Sequence, residues 1–218
     1  MSGPLTCPRC SAETRPPGLW SDAWVCPVHG EVRPLHPPVV ATQESLRALA
    51  QETSVPLWMP WPLPAGWVLS GVRTAGDAHS GTVATVLACS GPNPLPSGGT
   101  DDRQADLLLV AETPGVGLGA HLAGLADVDP GHSFEQGPPH LKLTADGHPA
   151  PLWTVATDGL VAYVGEASGV WLWVLVWPQS AAAVLLESFE LVDLRGTGRA
   201  VEAVLDVPYG ALSPRLAG

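Results

Sequence analysis

The most constraining feature of this chain is a set of four metal-ligating side chains near its amino end. Cys7 and Cys10 have two residues between them, and Cys26 and His29 repeat that spacing. Two intervening residues form a tight turn that aims both side chains at one ion, and the second turn completes a tetrahedron. Three thiolates and one imidazole leave no open coordination position. The pattern therefore predicts one structural zinc ion in a zinc ribbon over residues 1–36.

Two other interpretations of these residues stay open at this point. Cys7 and Cys10 could form a redox pair, although such a pair usually accompanies a βαβ pattern and none follows here. His36, which lies between prolines, could replace His29 as the fourth ligand. Cys89 lies in an apolar run and is expected to be a buried thiol.

The charge balance argues against a nucleic-acid partner. The chain has 10 Lys plus Arg against 21 Asp plus Glu, a net charge of −11. Residues 1–36 hold equal numbers of each sign, so the whole negative excess belongs to the rest of the chain. Such a body repels phosphate backbones and anionic lipid headgroups. A protein partner or a small ligand is expected instead, with no nucleic acid and no membrane.

The chain is expected to be cytoplasmic. Its first residues have neither the basic nor the apolar segment of a secretory signal. The longest strongly apolar run, Val170–Trp177, is far shorter than the roughly 20 residues of a membrane-spanning helix. In that compartment, four cysteines are expected to be metal ligands or buried thiols rather than disulfides.

Proline-rich segments divide the chain into three parts. Arg33–Pro38 is typical of a stiff linker, so residues 37–54 are predicted to be a linker and short helix before a body at residues 55–218. The helix is predicted to be capped by Thr42 and to end at Glu52, because apolar residues there share one face.

Residues 55–67 contain four prolines and three tryptophans. Such proline density excludes a helix and a central strand, so this backbone is predicted to run extended. The tryptophan rings are expected to lie over the core of the body, with an exposed aromatic ledge as the alternative. Trp20 and Trp24 are similarly expected to cover the ribbon or to dock it on the body.

The body is predicted to form an antiparallel sheet, because short apolar or alternating runs are separated by turn residues. Asp146-Gly147 and Asp158-Gly159 predict hairpin turns, and Ser180–Ser188, rich in Ala and Leu, predicts a helix. The expected fold class is α+β: an N-terminal zinc ribbon followed by a curved antiparallel sheet with one or two covering helices. The predicted strands are Trp67–Val72, Thr82–Ser90, Asp106–Glu112, His140–Ala145, Leu152–Val155, Leu160–Glu166, Val170–Trp177 and Phe189–Leu194.

A glycine motif follows one of these strands. Gly115–Ala120 matches the dinucleotide-binding pattern G-x-G-x-x-G/A. However, Pro114 interrupts the segment and no parallel βαβ succession follows, so a turn leading into a short helix is the default expectation.

Titratable side chains concentrate after this motif, and a general acid–base pair could be drawn from them. The prolines and glycines at residues 130–131 and 137–139 favour a solvated loop instead. The residues concerned are His121, Asp127, Asp129, His132, Glu135, His140 and His148. Further on, Trp171, Trp173 and Trp177 share one face of a strand and are expected to be core rather than a ligand surface.

Several motifs taken together are distinctive. They are the two ligand pairs, residues 55–64, Gly115–Gly119, Trp171–Trp173 with Trp177-Pro178, and Gly210–Arg215. Over nearly its full length the chain resembles an uncharacterised actinobacterial family, a domain of unknown function with an N-terminal zinc ribbon. Relatives are sometimes automatically named phosphotransacetylase, but this chain is acidic and shows no basic cluster to hold coenzyme A and an acyl phosphate. The resemblance implies no established activity.

The leading hypothesis is a non-enzymatic, zinc-binding cytoplasmic protein that acts as a protein- or ligand-binding module, with no catalytic residue assigned. The alternative is an enzyme, a transferase or hydrolase, with its site in the Gly115–His140 region. His121 or His140 within hydrogen-bond reach of an acid in a concave pocket would favour the enzyme. A third hypothesis is nucleic-acid docking through residues 1–36.

Overall fold

A computed structural model of the chain describes residues 3–19, 21–96, 101–131, 134–197 and 207–216. The predictions at Trp20 and His132 lie outside these ranges. Near the amino end, β1 (Trp24–Cys26) and β2 (Gly30–Val32) pair as a small antiparallel sheet.

The predicted short helix is confirmed as α1 (Gln43–Glu52). The Thr42 hydroxyl accepts a hydrogen bond from the Ser45 amide at 3.0 Å, and the Ser45 hydroxyl accepts one from the Thr42 amide at 2.9 Å. This reciprocal capping box satisfies two amides that a helix start leaves unpaired. The apolar face of α1 contacts the main core through Leu46, which is fully buried, and Leu49.

The body is built on one nine-stranded sheet that curls like half a barrel. The strand order is β3-β11-β7-β8-β9-β10-β6-β5-β4, antiparallel apart from a parallel contact between β11 and β7. The predicted curved sheet is thus confirmed, and the chain is mostly sheet with few helices. The strands are β3 (Trp58–Trp61), β4 (Val68–Asp77), β5 (Gly81–Pro92), β6 (Gln104–Glu112), β7 (Leu141–Ala145), β8 (His148–Val155), β9 (Val161–Ala167), β10 (Val170–Trp177) and β11 (Glu190–Asp193).

The proline-rich segment at residues 55–67, predicted to run extended, contains an edge strand of the sheet, β3. Pro60 has no amide hydrogen to donate, which an edge position tolerates. Trp58 and Trp67 are buried in the main core, so the core interpretation of this segment is confirmed.

The helix predicted at Ser180–Ser188 is a 3-10 helix over Gln179–Leu186. Ala181 and Val184, which lie on one side at the three-residue period of a 3-10 helix, are both buried. No side chain caps its start, so packing against the core outweighs the α-helical preference of Ala and Leu. Within the described residues, no helix has the length and apolar character needed to cross a bilayer.

Strands β5, β6 and β10 are buried on both faces. Leu109 and Val174 point into the main core, whereas Leu108 and Trp173 point into a second core on the opposite face. A second α-helix, α2 (Leu118–Leu122), covers this second core. Double-sided burial explains why β10 is continuously apolar rather than alternating.

Candidate metal centre

Four side chains from two knuckle turns converge in the amino-terminal segment. The ligand atoms of Cys7, Cys10, Cys26 and His29 all lie within 4.8 Å of one another. The Sγ atoms of Cys10 and Cys26 are 3.7 Å apart, and His29 Nδ1 lies 3.5 Å from Cys7 Sγ and 3.7 Å from Cys26 Sγ. A tetrahedral site with Zn–S bonds near 2.3 Å has edges of about 3.8 Å. The four atoms are therefore close enough to hold one metal ion.

Each of the two knuckle turns, residues 7–10 and residues 26–29, directs a backbone amide at the sulfur of its first cysteine. Arg9 N donates to Cys7 Sγ at 3.4 Å, and Val28 N donates to Cys26 Sγ at 3.4 Å. In each case the residue between the cysteine and the donor is a proline, which suits a tight turn. Both bonds stabilise negative charge on the sulfur, which is the form that binds a metal.

The thiols differ in their ease of ionisation. Burial raises the pKa of Cys7 to about 12. Burial also opposes ionisation of Cys26, but hydrogen bonds from the amides of Val28 and His29 outweigh it and lower the pKa of Cys26 to about 6. A cation at the centre of the cluster would favour the thiolate form of all three sulfurs, since metal ligation requires thiolates.

Two other sequence candidates lie elsewhere. His36 Nε2 is hydrogen-bonded to the Gly76 carbonyl at 2.9 Å, so this ring belongs to the junction with the sheet and His29 is the fourth member of the cluster. Cys89 is fully buried in the main core, and burial raises the pKa of its thiol. The prediction of a buried thiol at Cys89 is confirmed.

The first knuckle faces the body. Arg9 Nη2 donates to the Gly115 carbonyl at 2.6 Å, and Arg9 Nε donates to the Val116 carbonyl at 3.2 Å. Ser11 Oγ and His121 Nε2 lie 3.2 Å apart. The first knuckle, next to the four-residue cluster, is thus attached directly to the glycine motif of the body.

The glycine motif uses its backbone amides internally. Leu118 N and Gly119 N donate to the two carboxyl oxygens of Glu112 at 2.7 and 3.0 Å, and Gly115 N donates to Asp129 Oδ1 at 3.0 Å. A phosphate-binding loop needs such amides free for the ligand. Carboxylates already occupy them here, so the expected turn into a short helix is what the structure shows.

Glu112 is a key residue that sequence reasoning missed. It ends β6, is fully buried, and joins the strand to the start of α2 through these two amides. Burial raises its pKa to about 7, although the amides of Leu118 and Gly119 act in the opposite direction. The only signal in the sequence is an acid that closes an apolar strand directly before the glycine motif.

The free energy of unfolding of the wild-type protein is expected to fall as pH rises from 4.5 to about 7, and Glu112→Gln is expected to remove this fall. With its pKa raised from 4.5 to about 7, Glu112 holds a proton in the folded protein that the unfolded chain releases, so wild-type stability decreases as pH rises. The loss is on the order of 3 kcal/mol. Urea unfolding on both sides of this range measures it. Glu135→Gln, at an exposed position, should keep the wild-type slope, and a slope that survives in Glu112→Gln would contradict the assignment.

The histidines and acids after the motif do not form one cluster in the described residues. His121 contacts Ser11, and His140 Nδ1 accepts a hydrogen bond from Thr154 N at 3.1 Å. Asp129 accepts the Gly115 amide and the Trp171 indole N–H, while His148 and Glu135 are exposed. Burial, together with the positive charge of Arg73, lowers the pKa of His121.

The tryptophans of β10 are core residues, as predicted. Trp173 is fully buried, and Trp171 and Trp177 pack against the same second core. Phe134 meets both Trp153 and Trp171 edge-on, with ring centroids 5.8 and 5.5 Å apart. This cluster holds the loop before β7 against the sheet.

The model of a protein family described as a family of unknown function (DUF6758) matches residues 1–216. No curated protein and no solved structure matches the chain.

Proposed function

The chain belongs to DUF6758, a family of unknown function, and we propose that it is a non-enzymatic, cytoplasmic zinc-binding protein that binds a protein partner or a small ligand. Its amino-terminal segment is a zinc ribbon in which Cys7, Cys10, Cys26 and His29 hold one structural zinc ion. The observation that carries this proposal is the convergence of these four ligand atoms within 4.8 Å.

The donor set supports zinc in a structural role. Three sulfurs and one imidazole nitrogen complete a tetrahedron, which leaves no position for water or substrate. Soft thiolates with imidazole favour zinc over harder divalent cations such as magnesium or calcium. The contacts of Arg9 and Ser11 with the body support a scaffolding role, because they turn one side of the cluster toward the glycine motif.

The surroundings of the ribbon support a binding role. A cleft of about 400 Å³ lies between ribbon and body, lined by Arg9, Arg33, Val83 and Thr113 among others. On the ribbon itself, Leu19 is 98% exposed and Val28 is 71% exposed. These two side chains are where we expect a protein partner to make apolar contacts with the ribbon. Affinity capture by the native chain, compared with Leu19→Ser, tests this part of the proposal.

The enzyme alternative, with a site in the Gly115–His140 region, has less support. The hydrogen-bond partners of His121 and His140 are the Ser11 hydroxyl and the backbone and side chain of Thr154 rather than acids. The acids Glu112 and Asp129 hold loop amides.

Metal analysis tests the proposal directly. Purified native protein is expected to contain one equivalent of zinc, and Cys26→Ser is expected to lose it, because a site reduced to three ligands binds far more weakly. Cys89→Ala is the matched control, since it removes a thiol that lies outside the cluster. Native protein without metal, or zinc retained in Cys26→Ser at full stoichiometry, would contradict the proposal.

A further inference from the structure

Residues 207–216, here named the C-terminal strap, dock on the start of the edge strand β4, and residues 34–39 pair with the same strand farther along, from Val72 to Gly76. Leu69 N donates to the Pro208 carbonyl at 2.9 Å, and Gly210 N donates back to the Leu69 carbonyl at 2.8 Å. Ser213 N donates to the neighbouring Ser70 carbonyl at 2.7 Å. The strap therefore covers backbone groups of an edge strand that would otherwise stay unpaired.

Side chains fix the strap in place. Leu216 is fully buried, and Ser213 Oγ donates to Asp106 Oδ1 at 2.9 Å. Gly71 of β4 makes room for the strap, because a Cβ there would lie 2.6 Å from Leu212 Cδ1 and 2.7 Å from Leu216 Cδ1. The strap thus fills a shaped groove rather than lying loosely on the surface.

One buried cation joins the strap to the metal-binding ribbon. Arg73 on β4 is only 7% exposed. Its guanidinium donates to the Leu216 carbonyl at 2.8 Å, to the His36 carbonyl at 2.7 Å and to Thr6 Oγ1 at 3.3 Å. These acceptors belong to the strap, the linker and the ribbon, respectively. Loss of any of them leaves a charged N–H without its partner in a buried position.

The ribbon acceptor depends on the fold of the ribbon. Thr6 directly precedes the ligand Cys7, and its backbone pairs with Leu35 in both directions, at 3.0 and 2.7 Å. Folding of residues 3–35 around an ion therefore places the Thr6 hydroxyl against Arg73. His36 is held on β4 by its own amide, which donates to the Thr74 carbonyl at 2.8 Å.

We propose that Arg73 couples metal loading of the ribbon to docking of the C-terminal strap. In the loaded protein, ribbon and linker complete the polar surroundings of Arg73, and the guanidinium is held where it binds Leu216. Loss of the metal unfolds the ribbon, withdraws the Thr6 hydroxyl from Arg73 and releases the strap from β4. This inference rests on the proposed function, because it requires the cluster to bind a metal.

Hydrogen exchange on the full chain, zinc-loaded and chelator-stripped, tests the coupling. Strap amides, including Gly210 and Ser213, are expected to exchange about tenfold faster after zinc removal, while β6 stays protected. Metal content is measured on the same samples. Failure to hold zinc would overturn the proposed function and this inference together. Zinc held with unchanged strap exchange would overturn the coupling alone, as would loss of protection in β6 together with the strap.

Variants locate the coupling at Arg73. In Arg73→Met the strap is expected to exchange at the stripped rate even with zinc bound. Arg33→Met, which removes only partly exposed ion pairs with Glu31 and Asp77 near 3.9 and 3.8 Å, should retain the zinc effect. A zinc effect that persists in Arg73→Met would overturn the assignment.

Ser213→Ala gives a second measurement should Arg73→Met fail to fold. It removes the hydrogen bond of the strap to Asp106 and changes no metal ligand. By reciprocity, zinc affinity falls as the strap undocks, and the largest possible fall equals the factor by which zinc favours docking. Strap amides that exchange as fast as in an unfolded chain, together with unchanged zinc affinity, would overturn the coupling.

Discussion

Cys26→Ser is expected to unfold the amino-terminal ribbon while the nine-stranded sheet stays folded. The described buried residues of the ribbon core are Cys7, Cys26 and Val32, which is too little apolar surface to hold a segment of this size. Structural zinc contributes about 10–16 kcal/mol to comparable peptides. Without it, the amides of residues 3–35 should lose protection from hydrogen exchange, whereas those of β5, β6 and β10 should keep it.

Cys89→Ala, the matched control, is expected to destabilise the body and leave the ribbon folded. Cys89→Ala creates a cavity in the main core, so it should lower the midpoint of urea unfolding of the body while the ribbon keeps its metal and its protection. Chelation of zinc from the native protein should reproduce the exchange pattern of Cys26→Ser. A ribbon that stays protected after chelation would show that protein contacts alone hold it, and the structural role of the ion would fail.

Local patterns account for the parts of this molecule that sequence reasoning recovers. The spacing of Cys7, Cys10, Cys26 and His29 identifies the cluster because each pair needs only one tight turn. The continuous apolar run of β10 and the capping Thr42 likewise express short-range geometry. Strand β4 runs past its predicted end, because glycine and alanine interrupt the apolar pattern while its pairing with β5 continues through bulges.

Long-range polar contacts account for what sequence reasoning misses. Arg9 reaches a carbonyl 106 positions away, and Arg73 bonds one 143 positions away. Glu112 is a different case, because its two amide partners lie only six and seven positions on. It looks like an ordinary polar strand end until the turn through the glycine motif places these amides on its carboxyl group. No local period marks such residues, because the acceptors and donors that give them their roles are assembled only by the fold.

Gly119→Ala is expected to destabilise the body by on the order of 3 kcal/mol, the cost of overpacking a rigid core. A Cβ at this position would lie 2.2 Å from Cδ1 of Trp173, which is fully buried and cannot move aside. Gly115→Ala is the matched control in the same motif. Its Cβ would meet nothing within 4 Å, so only the positive φ of 88° contributes, at about 1–2 kcal/mol. Urea unfolding of both variants measures the difference.

A double-mutant cycle separates packing from any other role of this glycine. Trp173→Leu alone leaves a cavity in the second core, but it also makes room for a methyl group at position 119. The double variant should therefore be more stable than the sum of the two single losses predicts. Strict additivity of the two losses would mean that close packing against the Trp173 ring is not the reason for a glycine at position 119. A double variant more stable than that sum would show that Gly119 serves the close packing of α2 against β10. The amides that a phosphate would need are bonded to Glu112 instead.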